Sequence, residues 1–456
     1  MAPTSTETRH GLALPLVLAA VAVGGVLAIF SVRTYDTLGA LIVAPVLIAI
    51  SVPILARQAR RENDRALLSL LILALVLKLG GAVVRHFVGF DIYGGGDASA
   101  YDQWGELLSD RFRDGDFHTG LDSLTATNFI RFLTGLVYTV TGPSRMGGFL
   151  IFSWLGFWGL FLFYRAFRLA VPEGRGRSYA YLVFFLPSLL YWPSSIGKEA
   201  WMMFGLGISA FGAARILSGK ALRGLLITGV GLWLTAIVRP HVAGMVGLAL
   251  LAAAVIRRPS ENLRLLAPLA KMVTVAVLAV AAIVLVSKTD EFLKKKGYEP
   301  VRGVNSVLGD VSEQTGQGGS AFAPSIFESP VRAPVAVGTV LFRPLLFEAH
   351  NDQALAAAIE ATFLFLLSLA RLPWIFAAIR SIRRQPYVAL CGAFTVIFII
   401  GFSAVANFGL LARERVQLLP FYLVLLAIPP RDRSQEPEGD RTEQPEREDV
   451  GAFARA

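Results

Sequence analysis

The sequence predicts an all-α, polytopic membrane protein with about twelve transmembrane helices. Three observations support that expectation. Of 456 residues, 54% are hydrophobic and only 17% are charged, against roughly 25% charged in soluble domains. Apolar runs of about 18 residues or more, each long enough to cross a bilayer as a helix, recur from end to end. Basic residues gather in alternate short loops, the bias that sets orientation in a membrane.

By run length the spans fall near 11–32, 37–56, 66–88, 147–164, 179–193, 199–217, 224–238, 242–256, 265–287, 352–370, 387–406 and 416–429. The first run follows Arg9 and His10 as a signal peptide does. It is longer than a signal's apolar region and lacks a clear cleavage site, so it reads as a retained span. Five basic groups mark one face: Arg57, Arg60, Arg61 and Arg65; Arg165, Arg168, Arg175 and Arg177; Arg215, Lys220 and Arg223; Arg257, Arg258 and Arg264; Arg380, Arg383 and Arg384. All five coincide if both termini are cytoplasmic, in a chain of the cytoplasmic membrane. The net charge of +10 is then a matter of topology, and no nucleic-acid partner is expected. The single cysteine, Cys391, excludes an internal disulfide and a cysteine-based metal site.

The opposite, outer face then carries two long loops, about 89–146 and 288–351. The first holds an amphipathic stretch, 103–112, and a semi-apolar stretch, 128–141. A span over 128–141 would be short and would invert every later basic loop, so the stretch is expected to lie in the interface as a helix. The second loop holds Lys294, Lys295 and Lys296, a flexible-looking Gly/Ser/Gln stretch at 316–320, and an apolar hairpin or interfacial helix at 331–347. Residues 1–430 are expected to form one transmembrane domain. The tail 431–456, dense in Arg, Glu, Asp and Pro, is expected to be disordered.

Ionisable residues on the outer face run against the orientation bias, and they recur in five loops. Asp97 lies in a glycine-rich turn with Tyr101 a turn later. Lys198 and Glu199 follow in WPSSIGKEA, and Arg239 and His241 in VRPHV. Arg343 and Glu348 lie in FRPLLFEAHND, and Arg413 and Arg415 in LLARERVQLLP. Arginine and lysine at such places can hold phosphate oxygens and stabilise negative charge on a departing lipid phosphate. A nearby carboxylate can take a proton from an attacking hydroxyl. Each has a plainer reading: Asp97 as a helix N-cap, Lys198 and Glu199 as an interfacial anchor and a helix-dipole charge, Arg239 and His241 as membrane anchors, Arg343 with Glu348 as a structural pair, and Arg413 or Arg415 paired with Glu414. Asp114-Gly115-Asp116 could hold a divalent cation, the one cofactor the sequence leaves open, although Asp-Gly is also ordinary turn chemistry. Lys78 and His86 lie within a span, where a structural partner is the first expectation and proton coupling the second.

At these residues the chain resembles the GT-C superfamily of integral-membrane glycosyltransferases, whose first large outer loop carries a catalytic acid soon after a span. GGDASAY at 95–101 looks like that motif, with Asp97 in the acid position. LPSLLYWPSSIGKEAW at 186–201 and RERVQLLPF at 413–421 look like stretches of related bacterial polysaccharide-assembly proteins. The resemblance implies transfer of a sugar from a polyprenyl-phosphate-linked donor to a glycan or lipid-linked acceptor. Asp97 would be the base, with Tyr101, Lys198, Glu199, Arg239, His241, Arg343, Glu348, Arg413 and Arg415 binding substrate. The acid follows the third span, whereas the superfamily places it after the first, and no large C-terminal soluble domain follows. The first departure leaves an alternative, an O-antigen or exopolysaccharide polymerase using lipid-diphosphate glycans, and a transporter or flippase of lipid-linked sugars is an alternative from another class.

Overall fold

The structure is a computed structural model. It describes residues 35–256 and 330–430, together with Met272, Ala276, Ser312, Glu313, Thr315, Gly316, Ala321 and Phe322. The expected span 11–32, nearly all of the span 265–287, the basic group at 257–264, the lysines at 294–296, nearly all of 316–320 and the tail 431–456 lie outside the described residues.

Among the described residues the chain is helical, with one isolated bridge, Ala321 to Asn407. The helices are α1 Tyr35–Arg61, α2 Arg65–Phe87, α3 Gly96–Arg113, α4 Ala126–Thr141, α5 Arg145–Ala170, α6 Gly176–Phe185, α7 Pro187–Tyr191, α8 Lys198–Leu217, α9 Ala221–Val238, α10 Pro240–Ile256, α11 Ala333–Phe342, α12 Asp352–Ala370, α13 Leu372–Ser381, α14 Pro386–Phe402, α15 Phe408–Arg415 and α16 Leu419–Leu425. Six helical segments are long and apolar enough to cross a membrane: α1, α2 with its π-helical extension to Ile92, α5, α8, α9 and α12. A seventh arises if α13 and α14, bent by 117°, are counted as one span. The described residues are those of an all-α membrane protein with six or seven spans, and the expected count of about twelve is not confirmed.

Two expected spans take other forms. The run 179–193 breaks at Leu186, which is extended (φ −65°, ψ 126°) because the ring of Pro187 disfavours a helical residue before it. The break is held from both sides. Glu360 on α12 accepts from the Ser188 N–H at 2.5 Å, and the buried Lys78 on α2 donates to the Leu189 carbonyl at 2.6 Å and the Leu190 carbonyl at 3.4 Å. Lys78 therefore finds backbone carbonyls as its structural partners, not an acid. The run 416–429 is helical only over the seven residues of α16, about 10 Å of helix against a hydrocarbon core of about 30 Å. It is apolar because it is core: residues from Leu418 to Ile428 are all buried.

The central helix is α8, packed between α5 and α9. Its contact with α5 is a backbone-to-backbone crossing. A Cβ at Gly159 would stand 2.3 Å from the Met203 carbonyl oxygen, and one at Gly207 would stand 2.3 Å from that of Gly159. Close approach through small residues is how helices associate where lipid removes the hydrophobic drive. The two stretches expected in the interface are α3 and α4, which pack on each other. Tyr138 of α4 donates to Asp102 Oδ1 at 2.6 Å, and Arg145 Nε at the start of α5 donates to Asp102 Oδ2 at 2.6 Å. This polar joint fixes the α3–α4 pair to the bundle. The expected apolar element at 331–347 is α11 followed by the 3-10 turn Leu346–Glu348.

Candidate active site

Four parts of the chain meet at one end of α8. The first is the start of α3. Gly94, Gly95 and Gly96 all have positive φ (68°, 88° and 51°), a conformation glycine adopts without the Cβ penalty. The chain turns sharply there out of the π-helical end of α2 and enters α3 with Asp97 in its first turn. The cap position is Gly95, so Asp97 is not the N-cap. The second part is the N-terminus of α8, where Glu199 in the first turn complements the helix dipole. The third is Arg239, between α9 and α10, held there by Pro240 opening the next helix. The fourth is α15, which supplies Arg413 and Glu414.

These side chains form one alternating chain of charge. Arg413 donates from Nη1 and Nη2 to Asp97 Oδ2, both at 3.2 Å, and from Nε to Glu199 Oε1 at 2.7 Å. Arg239 Nη2 donates to the same Glu199 oxygen at 3.1 Å, and its Nη1 donates to Glu414 Oε2. Gln417 Nε2 donates to Glu414 Oε2 at 2.5 Å and closes the buried end. Side-chain exposure falls along the series from 63% at Asp97 to 23% at Arg413 and 5% at Glu199. The network is open at Asp97 and sealed at Glu414. Arg413 is held above even its usual high range, chiefly by Glu199 against the cost of burial, with Glu414 and Asp97 adding. Burial pushes the Glu414 carboxyl up. Tyr101, buried within reach of Asp97 and Glu199, is pushed up to about 12, mainly by burial. It is a neutral hydrogen-bonding group at neutral pH. Lys198 lies within electrostatic reach of Arg239, Glu199, Asp97 and Arg413, and among the described residues no hydrogen bond or ion pair holds its ammonium group.

The structure therefore brings together Asp97, Tyr101, Lys198, Glu199, Arg239 and Arg413. Other expected residues do different work. Arg415 is fully buried and donates from Nη1 to the carbonyls of Leu341 and Arg343, both at 2.9 Å. It ties α15 to the end of α11. Arg343 and Glu348 pair with each other, Nε donating to Oε1 at 2.9 Å and to Oε2 at 3.1 Å, and the Leu345 N–H donates to Glu348 Oε2 at 2.8 Å. Burial opposes the shift, but these bonds and the Arg343 charge hold the Glu348 carboxyl below its usual range. His241 is half-buried at the start of α10, 6.3 Å from the Phe402 ring, and is two residues from Arg239. His86 packs between Phe90 and Phe149. Asp114-Gly115-Asp116 terminates α3: Gly115 has φ 84°, the Asp116 N–H returns to the Arg111 carbonyl, and Asp116 Oδ1 accepts from the His118 N–H. Among the described residues, no three His, Cys, Asp or Glu side chains group as metal ligands would.

Glu414 and Gln417 are members that the sequence reading did not place in the site. The available signal was an acid flanked by two arginines in an otherwise apolar stretch. Beside the network lies a cleft of about 340 Å³ between α2, α7, α12 and α15. Val84, Val88, Tyr191, Trp192 and Ala357 give it an apolar wall, and Ala412, next to Arg413, adjoins it. No protein-family model, curated protein or solved structure matches this chain.

Proposed function

We propose that this protein is a membrane glycosyltransferase of the GT-C kind, moving a sugar from a polyprenyl-phosphate donor to a glycan, lipid or protein acceptor at the outer face of the cytoplasmic membrane. The observation behind this reading is the open end of the charge network. Both Arg413 donors use the same oxygen of Asp97, so Oδ1 is left to accept a proton. In the transfer, an acceptor hydroxyl oxygen bonds to the sugar's anomeric carbon and its proton goes to Asp97 Oδ1. The bond between that carbon and the donor phosphate oxygen breaks, and the electron pair leaves on the phosphate. One base and a stabilised leaving group suffice. Lys198, which makes no ion pair among the described residues, and Arg413 are the cations for the phosphate. Arg239 is a positioning residue that holds Glu199 and through it Arg413. The adjoining apolar cleft fits an isoprenoid chain.

The test uses the purified protein in liposomes supplied with a panel of polyprenyl-phosphate-linked hexoses and pentoses, with release of polyprenyl phosphate as the readout. Release with at least one donor, lost in Asp97→Ala at unchanged insertion, is the expected result. Lipid crossing between leaflets without release would assign the protein to transport. Release only from lipid-diphosphate glycans would assign it to polymerisation. Full release by Asp97→Ala would remove Asp97 from the chemistry.

A further inference from the structure

The other end of α8 carries a second built site. A cavity of about 370 Å³ is walled by Arg61, Arg165, Arg168, Arg215 and Lys220, with Glu62 as its one carboxylate. That carboxylate is already engaged. Its Oε2 accepts from Arg168 Nε at 2.7 Å and from the Tyr164 hydroxyl at 2.9 Å, and its Oε1 accepts from Gln58 at 2.7 Å. Among the described residues, no carboxylate lies within ion-pair distance of Arg61, Arg165, Arg215 or Lys220. Arg165 and Arg215 instead share the ring of Phe211, at 4.6 Å and 5.8 Å from its centroid. Arg61 and Arg215 stand close enough to Arg165 to repel its charge. Arg215 Nε is buried with no hydrogen-bond partner.

A cation near a helix C-terminus is favoured by the dipole, which explains Arg168 and Arg215 one at a time. It does not explain why five cations from α1, α5, α8 and the turn before α9 converge on one cavity with a single described carboxylate among them. Like charges gathered this way cost stability unless an anion joins them. Planar guanidinium groups in a recess suit phosphate oxygens, which they can bind bidentately. The positive-inside bias assigns this face to the cytoplasm, where basic pockets between helices meet anionic headgroups.

We infer that this cavity is a binding site for a phosphate-bearing anion, separate from the Asp97 network by the length of α8. Two sources offer that chemistry, an anionic lipid headgroup and a soluble diphosphate. Native mass spectrometry of the purified full-length protein in detergent separates them, using tetraoleoyl cardiolipin, inorganic pyrophosphate and, as the uncharged control, phosphatidylcholine. Wild type should retain cardiolipin or pyrophosphate above phosphatidylcholine, and the anion retained identifies the source. R165Q/R215Q should weaken that retention at least about tenfold. R61Q/K220Q, which alters exposed positions and spares the helix packing, should weaken it in the same direction. R57Q/R60Q removes exposed charges on the same face outside the cavity and should leave it unchanged. Retention of neither anion above phosphatidylcholine, no effect of R61Q/K220Q, or an equal loss in R57Q/R60Q would overturn the inference.

Discussion

The two ends of α8 hold similar numbers of charged groups arranged to opposite effect. At the Asp97 end, acids and cations alternate, and each buried charge touches an opposite one. At the Arg215 end, five cations face a single acid that is already occupied. A balanced network organises its own chain: it ties α3, α8, α10 and α15 together and leaves one exposed acid at its rim. Among the described residues the cluster at the Arg215 end has no such internal balance. The difference is between charges paired within the protein and charges that no described residue pairs, although both look alike as charges in an apolar sequence.

The largest expected effect separates the two ends by activity. Asp97→Asn should slow sugar transfer by about 10²–10⁴-fold, the usual contribution of a general base, whereas R165Q/R215Q should leave turnover within about twofold because the proposed reaction takes place at the other end. Steady-state release of polyprenyl phosphate from proteoliposomes measures both. A large loss in R165Q/R215Q would couple the two ends and break the separation.

Stability sharpens the same contrast. Arg239→Ala leaves Glu414 in the interior without its arginine and removes one of the two arginines on Glu199, and breaking a buried pair in this way costs about 3–5 kcal/mol. Arg215→Gln removes a charge that no described residue pairs, so the change should stay within about 0.5 kcal/mol, with relief of repulsion offsetting lost packing on Phe211. Unfolding in graded detergent mixtures reads both. Equal destabilisation would mean that Arg215 is paired after all.

How far the sequence revealed this arrangement depended on whether the signal was local. The long spans stood out because lipid imposes a run of apolar residues. The run 416–429 misled because a buried core segment is just as apolar. The break at Pro187 was written in the sequence, but its stabiliser, Glu360, lies 172 residues away. In the site, Asp97, Glu199, Arg239 and Arg413 were each visible as charges out of place. Their pairing was not, since Arg413 meets Asp97 across 316 residues. Arg413 and Arg415 are two positions apart on one helix and so cannot share a face. The sequence could not say which of them turns to the site and which to the carbonyls of α11.

The smallest expected effect concerns an acid on the basic face that belongs to the fold. Asp64 caps α2 through the Leu67 N–H at 3.2 Å and accepts from Arg177 at 2.9 Å. The Arg177 hydrogen bond, opposed by burial, holds its carboxyl below the usual 3.8. A carboxyl lowered by folding adds stability above its unfolded value and loses it as the pH falls through the lowered native one. Asp64→Ala should cost about 1 kcal/mol at pH 7, as loss of a cap does. Most of that difference should disappear as the pH falls below the native value. Thermal unfolding of wild type and variant from pH 7 down through the acid range tests it, and a difference that does not shrink as the pH falls would show that the carboxylate's charge is not what stabilises the cap.

The claim that Asp97 and Arg413 work as one site is tested most directly by transfer rates of Asp97→Asn, Arg413→Gln and the double variant in the same proteoliposomes. Groups that act as a unit are strongly non-additive. The double variant should be about as slow as Asp97→Asn alone. If instead the two losses multiply, or if Asp97→Asn transfers at the wild-type rate, the charge network is a structural clasp and the chemistry lies elsewhere.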